Sequence, residues 1–332
     1  MVNQILPKVT LIVTTFNNEE TIDTCLKSII NLDYPKNLLK IFLIDACSKD
    51  STVDIAKKYP IKLISKSLNA PAAYNYAIKR IKTSIIGFID SDAKLDPKWL
   101  NILVKDLTNP QVAGVSGSIE TWNKDNNWAR SIGYDLQNRY DRIKKPVIRI
   151  ATMNLLMKKK IIDEVGGFDE NLASQYDTDL GFRISEKGYQ ILLNSEAKCY
   201  HFNRTNLKSY FLQQLQYGKN TLKLYFKHNK LIRGDAITDF GMNIQPPLLL
   251  SAIILLFIGL IDVLRSLWFI SAAIFCFLFF YYLIFSILLL KKFKDSATIL
   301  LIIIYPVRLI AWCTGATITS INYLLGRNSD SK

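Results

Sequence analysis

Histidine and cysteine are scarce. Two histidines and five cysteines stand among 332 residues. The cysteines, Cys25, Cys47, Cys199, Cys276 and Cys313, show no C-x-x-C spacing. Neither a zinc site nor a disulfide framework is expected, and the thiols read as reduced and structural. Acidic residues are outnumbered, 28 against 42 lysines and arginines, which leaves a net charge of +14. That excess does not point to a nucleic-acid partner. With a strongly apolar C-terminal part attached, attraction to anionic lipid or to phosphorylated substrates accounts for it. Internal repeats and low-complexity segments are absent. The opening MVNQILPK lacks the basic start and apolar core of a signal peptide, so none is expected before Val9.

The apolar residues are unevenly spread. Up to about residue 240 charged and apolar residues mix, whereas beyond Pro246 the chain is mostly Leu, Ile, Phe and Tyr. A spanning helix needs roughly 20 apolar residues. Three runs qualify: PLLLSAIILLFIGLIDVL, LWFISAAIFCFLFFYYLIFSILLL and ATILLIIIYPVRLIAWCTGATITSINYLL. The expected organisation is a domain over 1–204, amphipathic interfacial helices over 205–243, a membrane domain of three helices over 244–326, and a tail over 327–332. Asp262 and Arg308 fall near the first and third runs; they fit an intramembrane pair or positions at helix ends, and the latter is preferred. Basic residues crowd the first domain and the KKFKD at 291–295. The positive-inside rule then gives a multi-pass protein of the cell membrane with its N-terminal domain cytoplasmic. From Asn206 to Arg233 aromatic and aliphatic residues recur at helical spacing among lysines. This suits a helix lying on membrane lipids, or one packed on the domain with a solvated basic face.

In the first domain strand and helix signals alternate. KVTLIVTTF is nearly continuous in β-branched and apolar residues, as in a strand covered on both faces. NNEETIDTCLKSIINL then places Ile22, Cys25, Leu26, Ile29 and Ile30 at helical spacing. The alternation continues through KIFLID and STVDIAKKY, IKLIS and APAAYNYAIKRIK, SIIGFID and PKWLNILVKDL, to VAGVSGSI. It predicts an α/β fold with a mostly parallel, Rossmann-like sheet. The charged stretch from Trp122 to Lys145 reads as a helix burying Trp128, Ile132, Leu136 and Ile143. Gly166 and Gly167 read as a helix C-cap and turn.

In such sheets ligands bind beyond the carboxyl ends of the strands. Asp45 ends the second strand, and Asp90 and Asp92 end the fourth. An isolated D-x-D is either a solvated turn or a pair of hard oxygen ligands for Mg2+ or Mn2+, with substrate phosphate completing the shell. Spacing alone does not choose. Three carboxylates converging on one edge favour the metal.

Five pieces in a fixed order carry a resemblance: VTLIVTTFNNEETIDTCLKSIINLDYP, LIDACSKDST, GFIDSDAKLDP, VGGFDE followed by YDTDLGFRISEKGYQI, and KCYHF. Together they resemble the family 2 inverting glycosyltransferases of the GT-A fold, over residues 8–230. The resemblance implies a nucleotide-diphosphate sugar donor and a divalent metal, Mn2+ or Mg2+. Asp92 would be its direct ligand, Asp90 would serve the metal or the ribose, and His201 would reach the metal or diphosphate. Thr14, Thr15, Phe16, Asn17 and Asp45 stand where relatives hold the nucleotide, with Asn69 and Asn75 beside them. Asp177 falls on the general base that deprotonates an acceptor hydroxyl, while Asp179 reads equally as a first-turn acid of the following helix.

The chain departs from the family pattern at several places. DACS replaces the usual DDGS, Tyr176 stands for a glutamate, Pro71 for a glycine and Tyr74 for a basic residue. The Gln-x-x-Arg-Trp signature of processive synthases is replaced by QQLQYGKN, and few spans follow, so polymer export is not expected. The resulting expectation is an enzyme that moves one sugar onto a hydroxyl of a lipid-linked or membrane-near glycan acceptor. The alternatives are a polyprenyl-phosphate sugar synthase, whose ionised acceptor needs no base, and an inactive membrane scaffold that keeps the fold.

Overall fold

The computed structural model describes residues 6–144 and 146–326. The opening residues 1–5 and the expected tail at 327–332 lie outside them. The first strands and helices run β1 (Val9–Thr15), α1 (Ile22–Ile30), β2 (Leu39–Asp45), α2 (Thr52–Ala56), β3 (Lys62–Ser65), α3 (Ala70–Ile78) and β4 (Ile85–Asp90). Then follow β5 (Ala93–Leu95), α4 (Trp99–Asp106), β6 (Val112–Thr121), α5 (Asn127–Tyr140), β7 (Leu155–Lys158), α6 (Lys159–Glu164), α7 (Tyr176–Glu186) and β8 (Gln190–His201). The chain ends in four long helices: α8 (Leu207–Lys227), α9 (Phe240–Ile258), α10 (Leu267–Phe293) and α11 (Leu301–Leu324).

Two compact units divide the chain: Met1–Asn123 with Arg139–Phe202, and Lys124–Asn138 with Asn203–Lys332. The segment 124–138, expected inside the first domain, therefore belongs to the second unit.

The first unit is an eight-stranded sheet in the order β3-β2-β1-β4-β7-β6-β8-β5. The β3-β2, β2-β1, β1-β4 and β6-β8 pairs are parallel. The other three, β4-β7, β7-β6 and β8-β5, are antiparallel. The sheet is thus more mixed than the alternation of strand and helix suggests: β5 follows directly on the turn after β4, β7 is reached through the long segment that carries α5, and both run antiparallel to every strand they pair with. Strand β1 shows why its run is apolar throughout. Val9, Leu11 and Val13 join one core layer with α1 and α4, while Ile12 joins the opposite layer with α3 and α7. Burying each such side chain contributes about 1.5–3 kcal/mol. Helix α6 stops where expected: Gly166 and Gly167 have φ of 83° and 73°, and the Gly167 N–H reaches back to Ile162 O.

In the second unit α9, α10 and the stretch Ser296–Leu324 are each long and apolar enough to cross a membrane, with mean hydropathies of 1.8, 2.6 and 1.9. Arg308, expected at a helix end, is instead buried and paired with Asp135 at 2.9 Å, while Asp262 pairs with Arg265. On α5 the expected Trp128 and Ile132 pack, partly covered, against this unit's core, while Ala129, Ser131, Gly133, Asp135 and Asn138 are more deeply buried and Leu136 is partly covered. Helix α8 lies along α11, running the same way. Trp312 Nε1 donates to Gln214, Thr319 Oγ1 donates to Lys219 O, and the Phe226 and Tyr323 rings are 5.3 Å apart. A Cβ on Gly218 would meet Trp312 backbone at 2.6 Å, and one on Gly315 would meet Leu215 O at 2.4 Å, so both glycines allow the two backbones to touch.

Candidate active site

The carboxyl ends of β1, β2 and β4 carry the site, and their loops are tied to one another. The Asn17 N–H donates to Ser48 Oγ at 2.8 Å, and Asn17 Oδ1 accepts from the Lys49 N–H at 2.9 Å. The Asn18 N–H donates to Thr52 Oγ1, and the Asn18 amide donates to Ser91 Oγ at 2.6 Å, within the D-x-D itself. Asn17 and Cys47 both adopt left-handed backbone, with φ of 50° and 64°. Such conformations cost on the order of 1 kcal/mol each and persist where surrounding bonds over-determine them. Here the cross-loop bonds do so.

Each nucleotide candidate has a distinct place. Thr14 Oγ1 donates to the Tyr74 hydroxyl at 3.2 Å, and Thr15 is buried. Phe16 is 53% exposed, an aromatic face on the rim where a base could stack. Asp45 is fully buried, accepting from the Ser48 N–H and hydroxyl. It locks the Cys47 turn, and Ser48 rather than Asp45 faces the β1 loop. Asn69 caps α3, accepting from the Ala72 N–H and donating to Glu170 O. Asn75 holds the Phe168–Glu170 segment through Phe168 O and Glu170 Oε1. The two asparagines therefore fasten the loop after Gly167 onto α3.

Strand pairing brings the D-x-D to the histidine. Ala93 on β5 pairs with His201 on β8, and the Phe202 N–H donates to Asp92 O. His201 Nε2 consequently lies 3.5 Å from Asp92 Oδ2, across more than a hundred residues of chain. Asp90 receives a hydrogen bond from the Tyr74 hydroxyl at 3.0 Å. Burial, reinforced by the charge of Asp92, pushes the Asp90 carboxyl up to about 7, against the opposing pull of Tyr74 and His201. Among the described residues no three His, Cys, Asp or Glu side chains gather tightly enough to enclose an ion. Asp92 and His201 nevertheless offer one hard oxygen and one imidazole, a donor pair that suits a divalent cation sharing its shell with phosphate oxygens.

Asp177 stands apart, in the first turn of α7. Burial pushes its carboxyl up to about 6, opposed by the Thr178 N–H and the Arg149 guanidinium. The helix start is clamped: Gln175 has φ of 65°, and Arg149 donates to both Gln175 Oε1 and Thr178 Oγ1. Asp179, the other candidate acid, is buried and paired with Arg183 at 2.7 Å, and Arg183 also donates to Val165 O and Gly167 O. It braces α7 against the turn after α6. The charge of Asp177 adds a small upward push to the Asp90 carboxyl, behind burial and the charge of Asp92.

Sequence reasoning missed Tyr74, Ser48, Ser91, Arg149 and Gln175. Only Tyr74 carried a signal, as a departure from the family pattern. The others act through bonds between distant loops, or through a left-handed residue that is not glycine.

Comparison with known proteins agrees with this arrangement. The mixed sheet with helices on both faces, followed by apolar helices, is the GT-A architecture of nucleotide-sugar transferases. A solved mannosyltransferase from Pyrobaculum calidifontis, PcManGT in complex with GDP-Man and Mn2+, shares it with a TM-score of 0.59 and 18% identity, over 98% of this chain and 89% of that one. Residues 10–166 match the Glycosyl transferase family 2 model, so the chain carries a family 2 glycosyltransferase domain. Glycosyltransferase AglE of Haloferax volcanii is 25% identical over 231 residues, 66% of this chain and 75% of that protein. The probable glycosyltransferase YdaM of Bacillus subtilis is 27% identical over 258 residues, 70% of this chain but only 61% of that protein. The dolichyl N-acetyl-α-D-glucosaminyl phosphate 3-β-D-2,3-diacetamido-2,3-dideoxy-β-D-glucuronosyltransferase of Methanococcus voltae is 20% identical over 236 residues, 63% of this chain and 71% of that protein.

Proposed function

We propose that this glycosyltransferase is metal-dependent and inverting. It moves one sugar from a nucleoside-diphosphate sugar onto a hydroxyl of a lipid-linked or membrane-near glycan, with its site on the cytoplasmic face of the cell membrane. One observation carries the reading: the carboxylates are divided. Asp90 and Asp92 stand with His201, while Asp177 sits on another element with its carboxyl raised toward neutrality. Breaking the anomeric bond builds charge on the diphosphate, and forming the new one requires that an alcohol lose its proton. Asp92 and His201, with Asp90 beside them, would hold a Mn2+ or Mg2+ ion that offsets charge on the leaving diphosphate. Asp177 would accept the hydroxyl proton, a contribution typically of about 10²–10⁴-fold. Phe16 and the tied loops after β1 and β2 would seat the nucleoside. Attack opposite the leaving group in one displacement inverts the anomeric centre.

Two relatives support the finer points. By its name the Methanococcus voltae enzyme acts on a dolichyl-linked sugar phosphate, and the Pyrobaculum calidifontis enzyme holds GDP-Man and Mn2+. The three long apolar helices support attachment to a membrane and a lipid-linked acceptor. The test is transfer by membranes containing the protein, across a panel of nucleotide sugars with Mn2+, Mg2+ or chelator. Metal-dependent turnover lost in both Asp92→Asn and Asp177→Asn is expected. Loss in Asp92→Asn alone would indicate a phosphate acceptor. Nucleotide binding without turnover, even with native lipid extract added, would overturn the enzymatic reading.

A further inference from the structure

Two departures from the family pattern meet in space. Tyr176, where relatives carry glutamate, and Tyr74, where they carry a basic residue, have ring centroids 6.1 Å apart. Both belong to one aromatic cluster. Phe168 lies 5.2 Å from Tyr74 and 5.8 Å from Tyr176, and Phe88 closes the group at 5.2 Å from Tyr74 and 5.3 Å from Phe168. Three of the four rings are core residues: Tyr74 and Phe88 are 0% exposed and Phe168 is 3%. Tyr176 is the member that keeps partial exposure, and it does so one residue from Asp177.

The cluster bridges the two chemical ends of the site. At one end the Tyr74 hydroxyl donates to Asp90, and at the other Tyr176 opens the helix that carries Asp177. A sugar in transit has its anomeric carbon bonded to the diphosphate and approached by the acceptor hydroxyl. Its ring must therefore lie between those ends, alongside Tyr176. A pyranose presents a band of C–H groups on its ring face, and an aromatic ring that is held in place stacks on such a band at little entropic cost. Phe168 and Tyr74 hold Tyr176 in that way, and the Arg149 bonds to Gln175 and Thr178 fix the backbone on either side of it.

We infer that Tyr176, backed by Tyr74 and Phe168, is the sugar-facing wall of the donor site, and that it recognises the apolar C–H face of the transferred pyranose by stacking. Recognition there uses shape and dispersion instead of a carboxylate accepting from sugar hydroxyls. A wall of this kind leaves no buried acceptor unpaired when a hydroxyl is missing, so it tolerates deoxy sugars that a carboxylate would reject.

The inference rests on the transferase reading, and the experiment separates the two. The full chain in lipid nanodiscs with Mn2+ is titrated with UDP, GDP, UDP-glucose, UDP-N-acetylglucosamine and GDP-mannose. Wild type is compared with Tyr176→Phe, Tyr176→Leu and Tyr176→Ala. For the nucleotide that binds, Leu and Ala are expected to weaken the sugar-bearing form about 5- to 10-fold, the value of one lost aromatic contact. The bare diphosphate should stay within about twofold, and Phe should bind both forms like wild type. Leucine keeps the bulk against Tyr74, so a folding defect in Ala alone does not cloud the result. Equal loss for both forms, or no loss in Leu, would overturn the wall. Absence of binding by every nucleotide in wild type would overturn the transferase reading and the wall with it.

Discussion

Arg308 Nη1 lies 2.9 Å from Asp135 Oδ2 with both side chains less than a tenth exposed, and the Tyr305 hydroxyl donates to the other Asp135 oxygen at 3.0 Å. A cation on an apolar helix thus has its counter-charge on α5. Removing one member of a buried pair leaves the other uncompensated, at a cost of about 3–5 kcal/mol. Arg308→Met and Asp135→Asn are each expected to lower the melting temperature sharply in detergent. The double variant should recover most of the loss. Equal destabilisation by the double and either single would show that the pair is not the cause.

The 3.5 Å approach of His201 to Asp92 makes a graded prediction. Asp92→Asn is expected to reduce Mn2+-supported turnover by about 10²–10³-fold, the usual effect of losing a group that stabilises a developing charge. His201→Ala should shift the Mn2+ concentration for half-maximal activity upward and leave the residual rate at saturating metal higher than in Asp92→Asn. An unchanged metal dependence in His201→Ala would remove that residue from the ligand set.

Asp177 sets a pH dependence in two observables. As a base it must be ionised, so activity should fall about tenfold per pH unit below a carboxyl raised to about 6. Stability runs the other way. The folded protein binds this proton more tightly than the unfolded chain, so the contribution of Asp177 is greatest below pH 3.8 and is lost as pH rises to about 6. Asp177→Asn, free of that ionisation, should gain melting temperature over wild type at pH 8 and show no gain near pH 4. A constant offset across the range would mean that the group titrates normally.

Gly181 lets α7 settle on the irregular segment around Ile148. A Cβ there would meet Ile148 O at 1.9 Å. Gly181→Ala must displace backbone and is expected to cost about 1–3 kcal/mol by chemical denaturation, with activity falling further because Asp177 shares the helix. Wild-type activity in a destabilised Gly181→Ala would show that the position of α7 is not critical to the reaction.

What could be read from sequence was what local periodicity determines. β1, β2 and β4 lie in apolar runs bounded by turns, and the D-x-D falls at a strand end. Contacts made across the chain were hidden. The polar stripe of α5 looks solvent-facing by composition, because nothing in its own residues reveals that Arg308 lies against it. Asp45 could be read as a strand-end acid, but not the hydrogen bonds it accepts from the Ser48 N–H and hydroxyl. His201 could be connected to Asp92 only through resemblance, since the β5-β8 pairing joins segments far apart in sequence.

The touching glycines of α8 and α11 impose a condition on the membrane itself. α8 bears Lys219, Lys223 and Lys227, while α11 is apolar, yet a shared backbone seam leaves no room for a water–lipid boundary between them. The two must ride at one depth. Any bilayer that takes up α11 must therefore accommodate the lysines of α8 at the same depth.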